Sequence, residues 1–129
     1  MKIKLLYVEL IQDTAHTGPA WIGYGQVNRT GKTIYFDGKI LGHGRSIIGN
    51  HVDIVKGDEY WISGIKKNGQ DRHWAGKGKI QIDKSSINEY LKIINELELP
   101  KDKFIIVELN NVPQIELATK IENTKLNSY

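Results

Sequence analysis

The sequence predicts a mainly β domain of the α+β class. It reads as a small, strongly bent sheet or a partly open SH3-like or OB-like barrel, with one C-terminal amphipathic helix over about 86–98 and a further strand over about 103–109. Three observations predict it. Short β-rich segments punctuated by turn signals fill the first 83 residues. All thirteen glycines lie between Gly18 and Gly78, where tight turns and close backbone approach call for them. Beyond that region Ile87, Tyr90, Leu91, Ile94 and Leu97 recur at helical spacing. With 129 residues, 40% of them hydrophobic, the chain fits one domain over 1–129 with a core of useful size. Within it, 18–83 forms a β unit rich in Gly, Trp and His, and 84–129 forms a helix–strand extension.

Ile3–Ile11 alternates in part and is rich in β-branched and aromatic residues, so it reads as the first strand. Gly18-Pro19 signals a turn, and Ala20–Val27 a second strand weakened at Gly23 and Gly25. The loop "NRTGK" (28–32) precedes a strand at Thr33–Phe36, the "DGK" turn (37–39) follows, and "GHGRSIIGN" (42–50) reads as a loop. Val52–Val55 and Glu59–Lys67 read as strands around the "KGD" turn, and Lys79–Ile82 as a short one. Ser86 with Glu89 matches a capping box that opens the helix, and Pro100 is expected to stop it. Phe104–Leu109 is a compact strand, and Pro113–Glu122 suggests a short helix beginning at a proline.

Composition excludes several function classes. Without cysteine there are no disulfides, no thiolate nucleophile and no thiolate metal site, which fits a cytoplasmic location. No apolar run approaches the roughly 20 residues that span a bilayer, so no membrane role is expected. The net charge of +3 is unevenly placed: residues 1–78 carry eleven Lys/Arg against seven Asp/Glu. Lys66, Lys67, Arg72, Lys77 and Lys79 face only Asp71 within 61–79, a local excess that favours anionic partners.

Asn68-Gly69 between two strand-like runs is the strongest hairpin signal in the chain. A two-residue type I′ turn there places Trp61, Ser63, Ile65, Lys67, Gln70, Arg72 and Trp74 on one face. Tyr60, Ile62, Gly64, Lys66, Asp71, His73 and Ala75 then share the other. Burial, the commoner fate of large aromatics, makes the tryptophan face core and presents Tyr60, Lys66, Asp71 and His73. Exposed, Trp61 and Trp74 beside Arg72 form a stacking platform of the kind single-strand nucleic-acid binders use. The candidate ligand-binding residues are therefore Tyr60, Trp61, Lys66, Lys67, Arg72, His73 and Trp74. Arg45 joins them from "GHGRS" (42–46), a loop suited to cradling an anion.

Other motifs carry less. "GQVNRTGKT" has one residue too many for a phosphate-binding loop, and a strand follows where a helix is required. His51 and Asp53 share a strand face, but no HxH or HxxxH pair occurs, so neither metal nor cofactor is expected. His16, Ser63, Asp53 and the His73/Asp71 pair are the remaining acid–base candidates, without a recognisable triad spacing.

The blocks "GPAWIG" (18–23), "TGKTIYFDGK" (30–39), "GN" (49–50) and "EYWISGIKKNGQDRHWAGKGKIQID" (59–83) resemble a family of small bacterial proteins. Some of these go under the name 1-deoxy-D-xylulose-5-phosphate synthase. That synthase is a large thiamine-diphosphate enzyme, and the chain has neither its length nor its diphosphate–magnesium motif. The resemblance implies a shared fold unit over about 18–83 and no catalytic residues.

Three readings of function remain. The first is a non-enzymatic binding module for nucleic acid or another polyanion, acting through the hairpin 59–76. The second is a protein-interaction module of the immunity or regulatory kind, since Trp, Tyr and Arg also make protein hot spots. The third is a small-ligand binder or enzyme using His73 and Asp71 in a cleft.

Overall fold

The computed structural model describes residues 2–12, 16–44, 48–72 and 78–110. Eight strands form one sheet: β1 (Lys2–Leu10), β2 (Ala20–Val27), β3 (Thr33–Phe36), β4 (Lys39–His43), β5 (His51–Asp53), β6 (Glu59–Gly64), β7 (Ile80–Asp83) and β8 (Phe104–Val107). The first six are antiparallel neighbours in the order β1-β6-β5-β4-β3-β2, and a β1–β2 pairing closes them into a barrel. The sheet is thus mainly β, as the sequence predicts, and its barrel is closed. The second edge of β2 is divided: Gln26 and Val27 pair with β3, while Trp21 and Ile22 pair in parallel with β7. β8 extends β7, also in parallel.

This topology explains why β1 and β2 are apolar on both faces. Leu6 and Val8 point into the barrel with Ile34, Phe36, Leu41, Tyr60 and Ile62. Leu5 and Tyr7 point outward and join Ala20, Ile22, Ile80, Ile82 and Phe104 in a second core. One helix, α1 (Ile87–Ile94), completes that outer core through Tyr90. It covers a wall of the barrel.

Several local expectations change. β4 takes Gly42 and His43 out of the expected loop, and β5 ends at Asp53 because its carboxylate caps the following turn. There Oδ1 accepts the Val55 and Lys56 N–H groups. The expected capping box is not made. A 3-10 turn (Lys84–Ser86) precedes α1, and the Ser86 hydroxyl donates back to the Asp83 carbonyl instead. The helix also ends before Pro100. Asn95 adopts a left-handed conformation (φ 57°), and the Asn95 and Glu96 N–H groups donate to the Lys92 and Leu91 carbonyls. This Schellman arrangement satisfies the last carbonyls and leaves Leu97 outside the helix.

The Asn68-Gly69 signal marks a real turn of another type. Type I′ needs positive φ at both central residues, but here Gly69 (φ 72°) has it and Asn68 does not. The Gly69 N–H donates to the Lys66 carbonyl, and the Lys66 N–H donates to the Asp71 carboxylate in place of a ladder bond. Residues 70–72 form no strand; β6 pairs with β1 and β5. The turn packs against Tyr90 and Ile94 of α1. The expected helix at 113–122 lies outside the described residues. Among the described residues, no helix is long and apolar enough to cross a membrane.

Candidate functional site

The alternation of β6 decides which aromatic side chain is presented. Tyr60 and Ile62 face the barrel interior, so Tyr60 is 3% exposed, and burial pushes its hydroxyl up to about 12. Tyr60 is therefore a core residue, not part of a presented surface. Trp61 points outward and is 39% exposed, the reverse of the burial favoured from the sequence. Lys66 and Lys67 are exposed on the turn. Arg72 is not free to grip an anion in the way the platform requires. Its guanidinium donates to the His16 and Gly18 carbonyls, at 2.6 and 3.0 Å. His73, Trp74 and Arg45 lie outside the described residues.

Around Trp61 the outer wall holds a recess of about 230 Å³, lined by Glu9, His16, Ile48, Trp61, Lys66 and Asp71. Strand register builds one side of it, since Glu9 of β1 is the cross-strand partner of Trp61 and Tyr7, two residues earlier, shares its face. The loop after β1 builds the other side. Gly18 passes so close to Leu10 that a Cβ would lie 2.0 Å from the Leu10 carbonyl oxygen, so only glycine fits there. His16 takes a positive φ of 56°, a strained backbone for a side-chain-bearing residue. It is held by the Arg72 bond to its carbonyl and by its Nδ1, 2.9 Å from Glu9 Oε2.

Glu9 is 1% exposed and both its oxygens are engaged, Oε1 by the Tyr7 hydroxyl at 2.6 Å and Oε2 by His16. Burial, reinforced by this bond, holds the Tyr7 hydroxyl well above the ordinary phenol range, so it remains a donor. Asp71 is 4% exposed. Its Oδ1 accepts the Lys66 N–H at 2.7 Å, and its Oδ2 has no partner. Burial pushes the Asp71 carboxyl above the usual range, against the pull of the Lys66 N–H and ammonium. Ser63 lies opposite Tyr7 on β6, and its hydroxyl is likewise buried without a partner, as is Arg72 Nε. Such atoms are uncommon in folded proteins, and each calls for an explanation. Of these, Asp71 lines the recess, Ser63 lies beside it on β6, and Arg72 holds the loop that carries His16; the fourth among the described residues, His51 Nε2, lies elsewhere, on the inward row of β5.

The chemistry open to this arrangement is recognition of a donor-rich or cationic group, with an apolar face against Trp61 and Ile48. The Tyr7–Glu9–His16 chain also fixes the imidazole, whose Nδ1 lies against the Glu9 carboxylate. Sequence reasoning named His16, Ser63, Trp61, Lys66 and Asp71 but missed Glu9. Its signal is a lone carboxylate within the apolar run "LLYVELI" (5–11) of a strand buried on both faces. Among the described residues, no three His, Asp or Glu side chains gather at metal-ligand spacing. Compared with family models, curated proteins and solved structures, the chain matches none.

Proposed function

We propose that this protein binds a small ligand in the recess on the outer wall of its barrel. The ligand offers an ammonium, guanidinium or similar donor group to Glu9 and Asp71, and a flat or apolar part to Trp61. The observation that carries this reading is the pair of almost fully buried carboxylates opening onto one recess, with one Asp71 oxygen unpaired. A buried, uncompensated acceptor costs folding free energy, and a ligand donor removes that cost. Concave sites with a few convergent polar groups and perturbed carboxyls are the usual places where small ligands bind. The hairpin polyanion reading gains less support, because Arg72 is committed to backbone carbonyls and Glu9 and Asp71 flank Trp61.

The test is a tryptophan-fluorescence titration with aromatic compounds of matched size: benzylamine and phenylguanidine against benzyl alcohol and benzoate. The Trp61→Phe variant isolates the Trp61 signal from Trp21 and Trp74. Saturable changes are expected with the two cations, to be lost in Trp61→Phe and weakened about tenfold or more in Asp71→Asn, the loss of one charge-assisted hydrogen bond. Equal responses to all four compounds, or no saturation with any, would contradict the proposal.

A further inference from the structure

At one end of the barrel the inward-facing row of β1 changes character. Leu6 and Val8 fill the interior, but the preceding positions on the same face are Lys2 and Lys4, both exposed. They pair across to Val27 and Gly25 on β2, where an apolar lining would have closed the barrel more cheaply. The β2–β3 loop borders the same opening. Lys2, Lys4, Arg29, Thr30 and Gly31 line a groove of about 440 Å³. The loop has a defined shape: Asn28 exchanges backbone bonds with Thr33 and Gly31, and its side-chain oxygen accepts the Thr33 N–H and the Thr30 hydroxyl.

Charge is one-sided here. No Asp or Glu occurs in residues 1–8 or between Asp13 and Asp37. Among the described residues the ion pairs are Glu9–His16 and Asp37–Lys39, so Lys2, Lys4, Arg29 and the neighbouring Lys32 have no counter-charge. Barrel mouths are recurrent ligand sites, and convergent ammonium and guanidinium groups beside a hydroxyl match phosphate oxygens.

We propose that this mouth of the barrel binds phosphate groups, at a site separate from the carboxylate recess and independent of it. Among the described residues no aromatic side chain lines the groove, so the contact is to phosphate and not to a stacked base.

The probes are sodium pyrophosphate, followed by calorimetry, and a labelled twelve-base single-stranded DNA, followed by fluorescence anisotropy at low and moderate salt. The variant is Lys4→Gln/Arg29→Gln, with the charge-matched control Lys84→Gln/Lys92→Gln; all four positions are exposed, and thermal melts check that each fold is intact. Binding of at least one probe is expected, weakened about tenfold or more by the first pair and little changed by the control. Pyrophosphate binding without DNA binding identifies a small phosphorylated ligand. DNA binding that falls steeply with salt identifies a nucleic-acid backbone. Failure of both probes at low salt, or equal losses in variant and control, would overturn the proposal.

Discussion

Asp71 carries the clearest conflict between stability and function. Burial holds its carboxyl above the usual value of 3.8. Between that value and the raised one, the folded state binds more protons than the unfolded state. Stability therefore falls as pH rises through this window. Asp71→Asn removes the charge and keeps an oxygen for the Lys66 N–H. The variant is expected to match or exceed the parent by up to about 1 kcal/mol in urea unfolding at pH 7, with a flatter pH dependence above the usual carboxyl value, while binding ligand about tenfold or more weakly. A loss of more than about 1 kcal/mol would mean that the ionised carboxylate stabilises the fold. Asp71, Trp61 and Lys66 stand out in the sequence because composition marks their segment. Arg72 reads as a ligand-binding cation there, yet it acts on carbonyls 54 and 56 residues away. No spacing rule reveals a contact of that range.

At the scale of elements, local signals are legible as features and less so in their geometry. Asn68-Gly69 does turn the chain, but the Asp71 carboxylate captures the Lys66 N–H that a second strand would otherwise use. Ser86 does precede a helix, yet it bonds backwards into the 3-10 turn, where both it and Asp83 are buried. The helix end was readable in principle, since asparagine follows glycine as the residue most tolerant of a left-handed cap. Pro100 is the louder but later stop. Asn95→Ala is expected to cost on the order of 1 kcal/mol in urea unfolding, and Asn95→Gly to cost nothing or gain a few tenths. Equal losses in both variants would show that the Asn95 side chain, and not its backbone conformation, closes the helix.

For the whole molecule, the mainly β class follows from turn spacing and strand composition, whereas closure does not. It depends on β1 pairing with both β2 and β6, and the β1–β6 partners lie 50 to 58 residues apart in sequence. The same closure gives β1 two buried faces, and that places Glu9 on the outer wall and Lys2 and Lys4 at the mouth. Two buried carboxylates thus line the wall recess beside Lys66 and His16, and Lys2, Lys4 and Arg29 line a groove at the opening. The most direct measurement is a backbone-amide NMR titration with benzylammonium chloride, run beside sodium benzoate. The expected result is saturable shifts with the cation, centred on Glu9, His16, Trp61, Lys66 and Asp71, absent with benzoate and saturating at about tenfold or more higher concentration in Asp71→Asn. Shifts scattered over the surface, or the same pattern with benzoate, would contradict it.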